Sequence, residues 1–163
     1  MTNENYVRPA KSSDVDDLVR LLELMHDGDR KAPASDREVE IFEDMLGQEN
    51  RQVLVADVDG EVIGTVDVVV VSNLSRDGSP WAIVENLVVD PGKRRLGIGR
   101  ALMEATVRFA EAKGCYKIQL ISNSARTNAQ ALYRSLEFNA PVDGFRRYLR
   151  GVAVVSGKPD EQR

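Results

Sequence analysis

Arg94-Arg95-Leu96-Gly97-Ile98-Gly99-Arg100-Ala101-Leu102 decides the reading of this chain. Before it runs Ala82-Ile83-Val84-Glu85-Asn86-Leu87-Val88-Val89, an apolar stretch closed by Asp90-Pro91. After it Ile98, Leu102, Ala105, Phe109 and Ala112 recur at helical spacing. The order is therefore strand, basic glycine loop, helix. Glycines let backbone N–H groups approach a ligand closely, and a helix N-terminus favours anions. Arg94, Arg95 and Arg100 add charge that can pair with phosphate oxygens. The segment suits a polyphosphate.

Two common nucleotide loops are excluded by residue type. A Walker loop needs G-x-x-x-x-G-K followed by Ser or Thr, and no glycine here completes it. A dinucleotide loop needs G-x-G-x-x-G and an acidic residue about 20 positions on. Gly97-Ile98-Gly99-Arg100-Ala101-Leu102 lacks the third glycine, and Tyr116–Ile121 holds no acid.

Working outward, Tyr6-Val7-Arg8 is a short strand stopped by Pro9. Ser12 or Ser13 caps a helix whose apolar positions are Val15, Leu18, Val19, Leu22 and Met25. A second helix starts near Ser35, with Val39, Phe42, Met45 and Leu46 on one face. Gln52–Val58 and Glu61–Val71 read as strands joined by Asp59-Gly60, a strong hairpin signal. Asn73–Pro80 turns into the strand that ends at Asp90. Gly114 stops the long helix. Tyr116–Ile121 is the next strand, Asn123–Asn128 leads into a short helix carrying Ala129, Leu132 and Leu136, and Phe145–Val155 is a last strand. Ser156–Arg163 is a polar tail. Strands dominate the centre and helices alternate with them, which fits a mixed α/β or α+β fold. With no linker visible, residues 1–163 are expected to form one domain, its core at about residues 5–152.

The 163 residues suffice for a substantial core, and 42% hydrophobic with 29% charged residues is an ordinary globular balance. A net charge of −4 speaks against a nucleic-acid coat. No apolar run reaches membrane-spanning length. Met1-Thr2-Asn3-Glu4-Asn5 has neither region of a signal peptide, so a cytoplasmic location is expected. One cysteine, Cys115, and one histidine, His26, provide no disulfide and no metal-ligand cluster.

Arg94-Arg95-Leu96-Gly97-Ile98-Gly99, following a strand, resembles the signature of the GNAT superfamily of N-acetyltransferases: Gln or Arg, two residues, Gly, one residue, then Gly or Ala. Leu87-Val88-Val89-Asp90-Pro91 resembles the strand end that precedes it. Asn128-Ala129-Gln130-Ala131-Leu132-Tyr133-Arg134-Ser135-Leu136-Glu137-Phe138 resembles the second motif, with Glu137 where relatives often carry glycine. The element order agrees over residues 5–152. The resemblance implies a central twisted, mostly antiparallel sheet of six to seven strands with one splayed pair, flanked by about four helices.

It further implies transfer of an acetyl group from acetyl-CoA to an amine. Backbone amides of Arg95, Leu96, Gly97, Ile98, Gly99 and Arg100 would hold the pyrophosphate, with Arg94 beside them. The backbone of Leu87, Val88 and Val89 would line the pantetheine arm, and an N–H near Val88 would polarise the acetyl carbonyl. Tyr133 would protonate the departing thiolate; its bland alternative is a half-buried helix tyrosine. Glu85 would bind the ammonium or relay its proton, or be a solvated strand residue. Alternation puts Glu85, Leu87 and Val89 on one face unless a bulge intervenes. Asn128 would bind the cofactor arm or serve as a helix N-cap. The expected partners are acetyl-CoA and an amine acceptor, with homodimers common among relatives, and neither nucleic acid, membrane nor metal. A small acceptor is the first reading; a protein or peptide acceptor, or a CoA-binding sensor without turnover, are the alternatives.

Overall fold

The Asp59-Gly60 signal is realised as a tight turn: both residues take positive φ, 54° and 86°, and the Asp57 carboxylate accepts the Gly60 N–H at 2.9 Å. This turn joins β2 (Arg51–Val58) to β3 (Glu61–Val71). The computed structural model describes residues 6–26, 28, 31–123, 125–139, 144–145 and 147–149. The chain divides into two compact units, residues 1–120 and residues 121–163.

The first unit holds one sheet in the order β1 (Val7–Pro9), β2, β3, β4 (Trp81–Val89), β5 (Ile118–Gln119). The first four strands pair antiparallel, and β5 pairs with β4 in parallel at Ala82/Ile118 and Ile83/Gln119. The mixed α/β, mostly antiparallel architecture is as expected. Among the described residues the sheet has five strands rather than six or seven. Tyr116–Ile121 contributes only Ile118–Gln119 to it. In the last expected strand, Phe145 and residues 147–149 are not extended pairs. Arg146 and residues 150–155 lie outside the described residues.

Four α-helices occur among the described residues: α1 (Val15–Glu23), α2 (Asp36–Leu46), α3 (Ile98–Ala112) and α4 (Thr127–Ser135). Ser35 caps α2: its Oγ accepts the Glu38 N–H while the Glu38 carboxylate accepts the Ser35 N–H. Helix α1 packs on β3 and β4 and α2 on β2, building a cluster of Leu18, Leu21, Phe42, Val53, Val55, Val62 and Val88. Val39, expected on the inner face of α2, is exposed, whereas Phe42 is buried.

Helix α3 lies on the opposite face of the sheet. It buries Ile98, Leu102, Thr106 and Ala110 instead of the stripe through Ala105, Phe109 and Ala112. Thr106 can enter this core because its Oγ1 donates to the Leu102 carbonyl at 2.9 Å, leaving no polar atom orphaned. Gly114 ends the helix with φ 72°.

Candidate active site

The glycine loop is shaped by two left-handed residues, Arg95 at φ 64° and Gly97 at φ 81°. Asp90 holds the approach. Its Oδ1 accepts the Gly92 N–H at 3.0 Å, and its Oδ2 meets Arg20 of α1 at 3.2 Å. A one-turn 3-10 segment, Pro91–Lys93, follows. The first intrahelical bond of α3 runs from the Ala101 N–H to the Gly97 carbonyl at 3.0 Å, so the amides before it have no carbonyl of their own helix to bond. Arg94 Nε donates back to the Val89 carbonyl at 3.3 Å, while Arg100 stands beside Glu104 at 3.6 Å. Leu96 is exposed at the tip. A positive helix terminus beside guanidinium groups is chemically suited to anions.

Gly64 sets how closely the start of α3 approaches the sheet. A Cβ there would lie 3.2 Å from Ile98 Cγ2, Leu102 Cδ1 and the Val88 carbonyl oxygen. The first turns of α3 are thereby seated on β3 at Gly64.

Strand β4 is broken where it meets β3. Thr65 pairs with Val88 and Asp67 with Glu85, so one residue of β3, Val66, faces two of β4, Asn86 and Leu87. Asn86 takes φ 58°, a conformation asparagine tolerates better than most residues. This bulge corrects the expected face. Cross-strand partners share a face, and so do Thr65 and Asp67; Glu85 therefore sides with Val88, not with Leu87 and Val89. On its other edge β4 pairs with β5 only as far as Ile83. Backbone groups from Val84 to Val89 have no strand partner on that side among the described residues.

Beside the bulge, between α1, α2 and the sheet, lies a pocket of about 200 Å³. Thr65, Asp67 and Asn86 supply its polar lining, and Leu18, Leu22, Ile41, Phe42 and Met45 are among its apolar walls. Asp67 is 4% exposed. The Arg51 guanidinium grips it bidentately, Nε to Oδ1 at 3.0 Å and a second nitrogen to Oδ2. Thr65 Oγ1 donates to the Leu54 carbonyl at 2.9 Å. Glu85, directly across from Asp67 on β4, is exposed.

The sequence reading missed Asp67, Thr65 and Asn86. The available signal was a carboxylate inside Val62–Val71, a run otherwise almost wholly apolar.

The model of the acetyltransferase (GNAT) family matches residues 16–138. The chain belongs to the GNAT acetyltransferase family. A glucosamine 6-phosphate N-acetyltransferase of Trypanosoma brucei brucei is 31% identical over 81 residues, 50% of this chain and 53% of that protein. A ribosomal protein bS18-alanine N-acetyltransferase of Escherichia coli K12 is 40% identical over 58 residues, 36% of this chain and 39% of that one. The matched region thus spans about half or less of these curated relatives. Among solved structures, a putative acetyltransferase from Agrobacterium tumefaciens superposes with TM-score 0.80 at 27% identity, covering 87% of this chain and 98% of that one. Glucosamine-6-phosphate N-acetyltransferase from Arabidopsis thaliana shares the fold, with TM-score 0.77 at 19% identity over 88% of this chain and 97% of that one.

The second GNAT motif lies in the other unit, on α4. Tyr133 is half-buried, its ring edge-on to Phe138 with centroids 6.2 Å apart, and its carbonyl accepts the N–H groups of Leu136 and Phe138 at 3.0 Å. Asn128 is exposed within the first turn, and the N-cap is Arg126, so the capping alternative for Asn128 falls away. Asn123 instead holds the preceding turn, its Oδ1 accepting the Ala125 N–H at 2.9 Å. Glu137 takes φ 65°, the left-handed geometry for which glycine is the least strained residue. His26 is exposed in the 3-10 turn after α1. Burial pushes the Cys115 thiol above its ordinary value, which disfavours the thiolate. Among the described residues no group of acidic, histidine and cysteine side chains could hold a metal, and no helix is long and apolar enough to cross a membrane.

Proposed function

We propose that this chain transfers the acetyl group of acetyl-CoA to the primary amine of a small molecule, by direct attack in a ternary complex. One observation carries the reading: the β4 bulge at Asn86 lines a pocket, and the basic glycine loop that follows the same strand opens a helix packed on β3 at Gly64. Acetyl-CoA supplies the reactive carbonyl and a thiolate leaving group. The amides of Arg95–Arg100, with Arg94, hold its pyrophosphate. The edge of β4 at Leu87, Val88 and Val89, which has no strand partner among the described residues, takes the pantetheine arm, and an N–H near Val88 polarises the carbonyl.

The amine reaches the carbonyl carbon from the pocket side. Glu85 draws the ammonium or passes its proton to water, so that the nitrogen lone pair is free to form the new C–N bond. As the C–S bond breaks, the nitrogen gives up its second proton to water and the Tyr133 hydroxyl donates its proton to the sulfur, to be reprotonated from solvent. Asn128 bonds the cofactor arm. The trypanosomal relative, whose name gives a sugar phosphate as acceptor, supports a small molecule. The bacterial relative, whose name gives a protein alanine, supports a peptide acceptor as the second reading.

Release of CoA thiol across a panel of amines tests the proposal. Acetyl-CoA-dependent turnover with at least one amine is expected. Thermal stabilisation by acetyl-CoA without turnover on any amine or peptide would establish a sensor instead. Replacing Arg94 and Arg95 by alanine should weaken acetyl-CoA binding, at about 1 kcal/mol each roughly fivefold per residue in Kd, and leave the amine KM nearly unchanged. The reverse pattern would remove the loop from cofactor binding.

A further inference from the structure

We infer that the acceptor is a primary amine on a short arm attached to a compact apolar body, an aromatic ring or branched alkyl group, rather than a sugar phosphate. The inference rests on the acetyltransferase reading and concerns the α1–α2 pocket. Two observations narrow its occupant. The first is the wall: Leu18 and Leu22 of α1 face Ile41, Phe42 and Met45 of α2 across the space. Leu18 and Phe42 belong to the core cluster and Leu22 and Met45 pack against it, and the same side chains also border this space. A dry apolar cavity of ~150 Å³ accommodates benzene. The pocket, at about 200 Å³, has room for a ring-sized body and a short arm.

The second observation is charge. Among the described lining residues the ionisable ones are Glu38 and Asp67, both carboxylates. Arg51, the nearby guanidinium, is spent on Asp67. A phosphate in this space would meet two acids and no lining cation among the described residues, and a sugar would leave its hydroxyls against leucine, isoleucine and methionine. An ammonium is complementary. Each Asp67 oxygen keeps a lone pair beyond its bond to Arg51, and Asn86 offers its amide oxygen from the bulge. The polar lining gathers at Thr65, Asp67 and Asn86, beside the bulge where the acetyl carbonyl is proposed to sit. An amine seated there points its nitrogen at β4 and its apolar body toward Phe42 and Ile41.

The test measures kcat/KM by CoA-thiol release for 2-phenylethylamine, isopentylamine, glucosamine 6-phosphate and a peptide beginning with alanine. The apolar amines are expected to exceed the other two by tenfold or more. Ile41→Lys places a cation at the half-exposed mouth of the pocket, where folding tolerates it. It should lower kcat/KM for 2-phenylethylamine at least tenfold through KM, with the Kd for acetyl-CoA unchanged. Higher kcat/KM for glucosamine 6-phosphate or the peptide overturns the inference while sustaining the acetyltransferase reading. An unaltered KM in Ile41→Lys, in protein that melts as the parent does, also overturns it. Failure to bind acetyl-CoA at all removes the acetyltransferase reading and the inference with it.

Discussion

Replacing Gly64 by alanine probes how α3 and its glycine loop are held to the sheet. The added Cβ would lie 3.2 Å from three atoms, Ile98 Cγ2, Leu102 Cδ1 and the Val88 carbonyl oxygen. Each must yield by a few tenths of an ångström. Ile98 and Leu102 are 4% and 0% exposed, and the third atom is backbone in the middle of the sheet, so none is a flexible surface group. Overpacking of this kind costs about 1–3 kcal/mol. Alanine recovers about 0.4–1 kcal/mol by restricting the unfolded chain. The net expectation is a loss of about 1–2 kcal/mol, or roughly 2–8 °C in Tm for a chain of this size. Because the strain falls at the first turn of α3, acetyl-CoA affinity should fall as well, and Gly64→Val should exceed alanine in both effects. Urea denaturation and acetyl-CoA titration of the two variants provide the check. An alanine variant as stable as the parent would refute the claim that Gly64 is needed for close approach.

Asp14 carries a pH prediction. Burial raises its pKa, but the bidentate Arg8 guanidinium and the Lys11 N–H outweigh burial, and the net shift is downward from 3.8. A depressed carboxylate contributes stability that is fully present above its unfolded value and lost as pH falls through the folded one. Tm should therefore drop as pH falls below about 3.8, and Asp14→Asn should lower Tm at pH 7, by about 1–3 kcal/mol in stability, and flatten that acid limb; a parallel limb in the variant would count against it. Glu137→Gly should stabilise by about 0.5–1 kcal/mol, since relief of a left-handed side chain worth ~1–2 kcal/mol outweighs the glycine entropy cost; a lower Tm would mean that Glu137 has a compensating contact. Tyr133→Phe should reduce kcat about tenfold or more with little change in either KM, the thiol being a fair leaving group at a pKa of about 8.5. Unchanged turnover would end its assignment as general acid.

What could be read from residues alone was whatever a local rule controls. Asp59-Gly60 marked its turn because only residues tolerant of positive φ fit there, and Gly97 marked the start of α3 for the same reason. The helix start near Ser35 was legible, and the structure shows its cause in a reciprocal cap with Glu38. The site was legible only in part. A bulge is a mismatch between two strands, and β4 alone reads as an uninterrupted strand; its face assignment consequently slipped at Asn86. The Asp67–Arg51 pair joins residues on neighbouring strands, 16 positions apart. The pocket depends on how α1 and α2 cross the sheet, so residues of the core cluster such as Leu18 and Phe42 also line a cavity that no local pattern marks. The strand expected at Tyr116–Ile121 shrank because β5 meets β4 at only two positions, and apolar composition does not encode where two strands part.

Calorimetric titration of acetyl-CoA into the intact protein shows whether the glycine loop holds the cosubstrate. Saturable binding is expected, weakening when Arg94 and Arg95 are both replaced by alanine. No binding at saturating acetyl-CoA, by heat or by shift in Tm, would contradict it.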